Sequence, residues 1–196
     1  MKKLCFATNN LKKLHEVSHM LEGSYHLLTL QDIGCLEELA EDQDTLEGNS
    51  RQKAAYVWEN YQIDCFADDT GLEVEALGGA PGVYSARYAG PQRSDTDNMQ
   101  HLLQQLQGQE NRKARFRTFI TLYLNGQEHQ FEGIVEGRIT EDWNGETSFG
   151  YDPVFVPEGY TQTFFHMSTA QKNSISHRGR AIAKLVEFLK KQQQAN

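Results

Sequence analysis

Apolar residues recur along this chain in two periods, and the switches between them mark out its elements. Lys3 to Thr8 is a short apolar run of strand length, followed by Asn9 and Asn10, both turn and N-cap formers. Leu11, Leu14, Val17 and Leu21 then recur at helical spacing, and Gly23 supplies a stop. A strand–loop–helix unit is therefore predicted at the start of the chain. In α/β folds the loop at the carboxyl end of such a strand is where ligands sit. Tyr25 to Leu30 predicts a second strand, Glu37 to Glu47 an acidic loop, and Asn49 to Tyr61 a helix with Ala54, Ala55, Val57 and Trp58 on its apolar side. Asp64 to Ala67 reads as a short strand that runs into Asp68-Asp69-Thr70-Gly71 and then the 72–77 segment.

Further on, Gly78 to Gly82 is a glycine- and proline-rich loop. Ser94 caps a helix running to about Leu106, with Met99, Leu102, Leu103 and Leu106 on one side. Phe116 to Leu124 is rich in β formers, Asn125-Gly126 is a strong hairpin signal, and Phe131 to Ile139 is the expected partner strand, the pair forming a candidate second lobe. Tyr151 to Val156 predicts another short strand. A closing helix from His177 to Lys190 carries Ile182, Leu185, Val186 and Leu189 at i, i+3, i+4 and i+7, and the polar tail after it is expected to fray. The mix is α/β with at least one antiparallel hairpin.

The chain has 196 residues, 38% of them hydrophobic and 23% charged, which fits one soluble globular domain spanning 1–196. Its net charge of -8 argues against a broad nucleic-acid surface but leaves a mononucleotide ligand open, since local cations can dominate a cleft. The three cysteines, Cys5, Cys35 and Cys65, lie outside any CxxC and are expected to be reduced and buried. The opening apolar run is too short for the ~7–15 residue core of a signal peptide. No stretch approaches the ~20 apolar residues of a membrane span. The cytoplasm is the expected location, with no membrane partner.

Four groups of residues carry candidate chemistry. Asp68-Asp69 sets two carboxylates side by side after a strand, an arrangement that calls for a compensating cation. Magnesium takes carboxylate oxygens together with waters and phosphates, and a neighbouring carboxylate can accept a proton from water. A capped turn would use the same two residues. Thr8 to Lys13 opens a helix whose N-terminal N–H groups, with the Lys13 charge, suit a phosphate, as they also suit an ordinary capped helix. Phe149-Gly150-Tyr151-Asp152-Pro153 offers an aromatic ring to stack on a base and a carboxylate to accept from base N–H groups, or else a core ring and a turn aspartate. Lys172, His177 and Arg178 stand before and at the start of a helix, where cations oppose the macrodipole; a phosphate or carbonyl grip explains that placement, and so does a solvated basic surface.

These blocks occur in the order found in a known family. With Glu16, Thr45-Leu46-Glu47-Gly48-Asn49, Lys53-Ala54, the 66–72 and 78–88 segments, the 149–155 segment, Lys172-Asn173 and Ser176-His177-Arg178-Gly179, the chain resembles the inosine triphosphate pyrophosphatase family nearly end to end. The resemblance implies a long mixed central sheet flanked by helices, in two lobes with the active-site cleft between them, and a homodimer. It implies hydrolysis of deaminated purine nucleoside triphosphates (ITP, dITP, XTP) to the monophosphate and pyrophosphate. Asp69 is then the proton acceptor and a Mg2+ ligand, and Glu41 stands about where the family places a second acidic metal ligand; the paired carboxylates add Asp68 as a further candidate ligand. Thr8, Asn9, Asn10, Leu11, Lys12, Lys13, Thr70 and Lys172 hold substrate, chiefly its phosphates; Phe149, Gly150, Tyr151 and Asp152, with His177 and Arg178, read the base. A donor at the 6-oxo group, His177 or Arg178, would reject adenine. Two positions depart from the family pattern: His166 stands where relatives usually carry glutamate, and Ser148 where glycine is frequent. A nucleotide phosphohydrolase of different base selectivity, or a binding protein without turnover, are the competing readings.

Overall fold

The computed structural model describes residues 2–194. Strand β1 (Lys2–Phe6) pairs in parallel with β2 (Tyr25–Leu28) on one side and β3 (Cys65–Val74) on the other. Helix α1 (Leu11–Leu21) connects β1 to β2, and α2 (Leu46–Tyr61) precedes β3. After α3 (Asp95–Gln105) come the long strands β4 (Lys113–Leu124) and β5 (Gln127–Ile139), then β6 (Phe155–Pro157), which is antiparallel to β5. Helices α4 (Thr169–Ile175) and α5 (His177–Gln194) close the chain. The strand order is β2-β1-β3-β4-β5-β6, a mixed six-stranded sheet of the kind expected.

Local chemistry explains the element ends. The side chains of Asn10, Thr45, Ser94 and Ser168 each accept a backbone N–H in the first turn of the helix they precede. The two-residue turn between β4 and β5 has positive φ at both positions, 51° at Asn125 and 77° at Gly126, as a turn matched to the twist of a hairpin requires.

The chain divides into two compact units: 1–69, 118–133 and 178–196 form the first, and 70–117 with 134–177 the second. In the first, the sheet is covered on both faces. Leu4, Phe6, Phe66, Ile120 and Leu122 pack against Val17 and Leu21 of α1 and Ala181, Ile182, Leu185 and Leu189 of α5. Cys5, Ala7, Cys65 and Ala67 point the other way, against Ala54 and Val57 of α2. This is the period-two alternation of strands buried on both sides. In the second unit Leu72, Val74, Phe116, Val135, Ile139 and Phe155 pack against Met99, Leu102 and Leu106.

Several boundaries differ from the expectation. β3 does not stop at Ala67 but runs through the acidic pair to Val74, because Asp68 and Asp69 find cation and amide partners within the fold. Helix α2 starts at Leu46, capped by Thr45, and β5 starts at Gln127. The strand expected from Tyr151 shrinks to Phe155–Pro157, since 152–154 forms a single helical turn around Pro153, which has no N–H for a ladder. Helix α4 is not among the expected elements, and α5 continues to Gln194; Ala195 and Asn196 lie outside the described residues. No helix among the described residues is long and apolar enough to cross a membrane.

Candidate active site

In the first unit the end of β1 delivers the chain to Thr8, whose hydroxyl accepts the Asn10 N–H at 3.1 Å. Asn10 in turn accepts from the backbone N–H of Lys12 and Lys13 at 3.0 and 3.3 Å. This fixes the first turn of α1 and turns Lys13 inward, while Asn9, Leu11 and Lys12 stay exposed. The Lys13 ammonium meets Asp68 Oδ1 at 3.0 Å. The other Asp68 oxygen, Oδ2, is 3.3 Å from Arg178 Nε in the first turn of α5, and Arg178 Nη1 reaches Glu16 Oε2 of α1 at 2.5 Å. Asp68 is buried, and burial alone would raise its carboxyl; Lys13, Arg178 and Lys53 instead hold it far below the usual carboxylate range. Burial lowers Lys13, although Asp68 opposes that shift.

Asp69 has a different environment. Its Oδ2 accepts a hydrogen bond from Asn49 Nδ2 at 3.0 Å, and its pKa is raised, first by burial and also by the charge of Glu41, against the pull of Lys53 and Lys13. Lys53, one turn after Asn49 on α2, donates to Glu41 Oε1 at 2.5 Å and to the Asp68 carbonyl at 2.6 Å. Burial works against the Lys53 charge, but Glu41, Asp68 and Asp69 outweigh it and raise its pKa. Glu41 is lowered in spite of burial, chiefly by Lys53.

The acidic segment that carries Glu41 is tied to α2 along its length. Glu37 Oε1 accepts from the hydroxyls of Tyr56 and Tyr61 at 2.7 and 2.8 Å. Asp42 Oδ1 accepts from Gln52 at 2.7 Å, and the Gln43 N–H donates to Asn49 Oδ1 at 2.9 Å.

In the second unit Thr70 comes directly after Asp69 on β3, half-buried. Gly150 takes a positive φ of 59°, and its N–H donates to Asp95 Oδ2 at 3.1 Å. The Tyr151 hydroxyl donates to the Ser85 carbonyl at 2.7 Å, which anchors the turn. Asp152 Oδ2 is 2.6 Å from Lys172 Nζ in a buried pair, and that ammonium lies 5.3 Å from the centre of the Phe149 ring. His177 is buried and stacked on Phe116, with ring centres 4.6 Å apart and planes 19° from parallel.

Asp69 and Glu41 could hold a divalent cation: the charge of Glu41 contributes to the raised Asp69 pKa, a repulsion that a cation would relieve. Among the described residues no group of three or more His, Cys, Asp and Glu is gathered for a metal. Mg2+ does not need one, because it keeps several waters and takes only one or two carboxylates beside substrate phosphates.

The model of the Ham1 family matches residues 4–188. The chain belongs to the Ham1 family. It is 52% identical over 188 residues to a dITP/XTP pyrophosphatase of Flavobacterium psychrophilum, covering 96% of this chain and 99% of that protein. It is 51% identical over 187 residues to the dITP/XTP pyrophosphatase of Flavobacterium johnsoniae, covering 95% and 97%. Among solved structures it is similar to the Staphylococcus aureus Ham1 protein, with a TM-score of 0.89, 35% identity, and coverage of 97% of this chain and all of that one (100%).

Within this Ham1-family chain the single cationic clamp read from Lys172, His177 and Arg178 takes another form. Lys172 pairs with Asp152 beside Phe149, whereas Arg178 pairs with Asp68 and Glu16. Asp68, read as a metal ligand, has one cation on each carboxylate oxygen. His166, at the position where relatives usually carry glutamate, is half exposed and lies 3.3 Å from Glu146, and Lys172 keeps its pairing with Asp152. Asn49 and Lys53 join the site without a role read from sequence. Their signal is nonetheless present: two polar residues one turn apart on the same buried stripe of α2 as Ala54 and Val57.

Proposed function

We propose that this chain hydrolyses dITP, XTP and ITP to the nucleoside monophosphate and pyrophosphate, and so removes deaminated purines from the nucleotide pool. The named activity of relatives half identical to it supports this reading. The observation that carries it is the contrast between two adjacent carboxylates. Asp68 has a cation on each carboxylate oxygen, while Asp69 meets the uncharged amide of Asn49 and is raised, first by burial. Pairs of titratable groups whose environments push them apart mark acid–base assignments.

In this reading a water oxygen bonds to the α-phosphorus and the bond from that phosphorus to the bridging oxygen breaks, releasing pyrophosphate. Asp69 takes the water proton. Lys13, fixed by the capped turn of α1 and by Asp68, meets phosphate charge together with Thr8 to Lys12 and Thr70. Phosphoryl chemistry of this kind needs position and charge neutralisation more than covalent participation. Asp69 and Glu41 would hold Mg2+, which supplies neutralisation at the phosphate oxygens when bound. Asp68 serves to orient Lys13 and Arg178. Phe149 to Asp152 receive the base, Lys172 beside them holds substrate, chiefly its phosphates, and His177 or Arg178 donates to the 6-oxo group, which adenine lacks. Both units act as one pyrophosphatase domain. The proposal extends to a homodimer in the cytoplasm that acts on free nucleotides rather than nucleic acid, in keeping with the net charge of -8.

The test is to incubate the protein with Mg2+ and ITP, XTP, ATP, GTP, CTP or UTP and to quantify pyrophosphate and orthophosphate separately, with Asp69→Asn as control. Pyrophosphate from ITP and XTP alone, lost in the variant, is the expected result. Orthophosphate release, or turnover indifferent to Asp69, refutes the mechanism.

A further inference from the structure

We infer that Asn49 is a positioning residue that sets the Asp69 carboxylate and the Glu41-bearing segment in one geometry. The inference rests on the proposed role of Asp69 and deepens it. Asn49 is 1% exposed, deep in the first turns of α2. Its two amide atoms are engaged in opposite senses. Oδ1 accepts the Gln43 backbone N–H at 2.9 Å, and Nδ2 donates to Asp69 Oδ2 at 3.0 Å. A backbone N–H is a donor only, so the Gln43 contact dictates which amide atom faces it. The amide nitrogen is thereby turned onto the carboxylate.

One rigid planar group therefore links strand β3 at Asp69 to the segment two residues beyond Glu41. The torsion of a carboxylate is broad, and the amide holds that of Asp69 in the orientation that the Gln43 contact dictates. Lys53 restrains Glu41 from the next turn of the same helix at 2.5 Å, so α2 holds one carboxylate with an amide and the other with an ammonium. The amide donates to Asp69 without adding charge.

The experiment uses Asn49→Ala and Asn49→Asp beside wild type and Asp69→Asn. Asn49→Asp keeps the side-chain volume and an acceptor for Gln43 N–H but replaces the donor to Asp69 with a like charge, so Asn49→Ala, which adds none, is read beside it. Loss of a hydrogen bond to a charged group corresponds to roughly a 10- to 100-fold effect. The expected result is a fall of that size in kcat for ITP in both variants, with KM within about threefold of wild type. A merely structural role would move kcat, KM and Tm together. In nucleotide-free protein, Mn2+ binding followed by electron paramagnetic resonance should weaken severalfold in Asn49→Ala, since the two carboxylates lose their common anchor. A kcat within about twofold of wild type in Asn49→Ala, wild-type kcat in Asn49→Asp, or unchanged Mn2+ affinity in Asn49→Ala overturns the assignment. If wild type itself releases no pyrophosphate, the proposed function fails, and the Mn2+ measurement still decides the role of Asn49.

Discussion

Replacing Asp68 by Asn removes one charge and almost no volume, and the structure gives both the sign and the size of the effect. The Asp68 side chain is 1% exposed and meets Lys13 at 3.0 Å and Arg178 at 3.3 Å. Breaking a buried pair by removing one partner costs about 3–5 kcal/mol, because the other charge is left buried without compensation. One feature holds the effect to the lower end: Arg178 keeps Glu16. A loss of about 3 kcal/mol in a chain of this size lowers Tm by roughly 6–12 °C.

The folded-state pKa of Asp68 lies below its unfolded value, so its contribution is fully present above about pH 4 and is lost as pH falls below that. The wild-type advantage over Asp68→Asn should therefore narrow on acidification below pH ~4. Calorimetry in EDTA at neutral and acid pH measures both. If Asp68 were instead a metal ligand held against Asp69, removing one of two repelling carboxylates would stabilise the metal-free protein. An Asp68→Asn variant as stable as wild type, or more stable, in EDTA refutes the ion-pair account.

Lys172→Ala leaves Asp152 buried without its ammonium and takes the cation from the face of Phe149, and kcat/KM for ITP should fall about 10- to 100-fold, mostly through KM; an unchanged KM in steady-state kinetics would remove Lys172 from the substrate side. Glu37 is held down to about 2 by the hydroxyls of Tyr56 and Tyr61, so the stability it lends is complete above its unfolded pKa and is lost as pH falls through about 2. Glu37→Gln should accordingly be less stable than wild type at neutral pH, with the gap in Tm closing below about pH 4; a gap that widens on acidification contradicts this. All three cysteines are buried, and burial pushes the Cys5 thiol up to about 12, so thiol reagents at pH 8 should label the protein only after guanidine unfolding; rapid labelling of native protein would show an accessible thiol.

The first, third and closing helices, the hairpin turn and the apolar faces were legible because each has a local cause. Asn10 and Ser94 cap the helices after them, Asn125-Gly126 takes the positive φ its composition permits, and Ile182, Leu185 and Leu189 lie on the buried stripe their spacing implies. The features that the pattern could not reveal depend on distant residues. β3 continues through Asp68 and Asp69 because Lys13 lies 55 positions away in sequence and Arg178 110 positions away. Read locally, two aspartates end a strand. The same reason hid the partners of Lys172 and Arg178, which sit six residues apart in sequence and serve different carboxylates. Asn49 and Lys53 were legible as residues and not as roles, since a buried amide or ammonium acquires meaning only from the group it meets.

Strand geometry, more than residue identity, divides the work between the two aspartates. Successive side chains on a strand face opposite sides of the sheet. Asp68 shares its side with Phe66, where α1 and α5 pack, and so meets Lys13 and Arg178 from those helices. Asp69 shares its side with Ala67, where α2 packs, and so meets Asn49. A loop would average these surroundings, and the like charges would titrate as one coupled pair. On β3 they take separate partners, two cations for Asp68 and the Asn49 amide for Asp69. The assignment depends on register: Cys65 lies opposite Cys5 and Phe66 opposite Phe6, with the two phenylalanine rings stacked 4.5 Å apart. A slip of one residue would turn Asp68 toward α2 and Asp69 toward the two cations. The stacked rings and the buried thiol-bearing pair beside them thus fix, from the apolar core, which carboxylate meets the two cations and which meets the Asn49 amide.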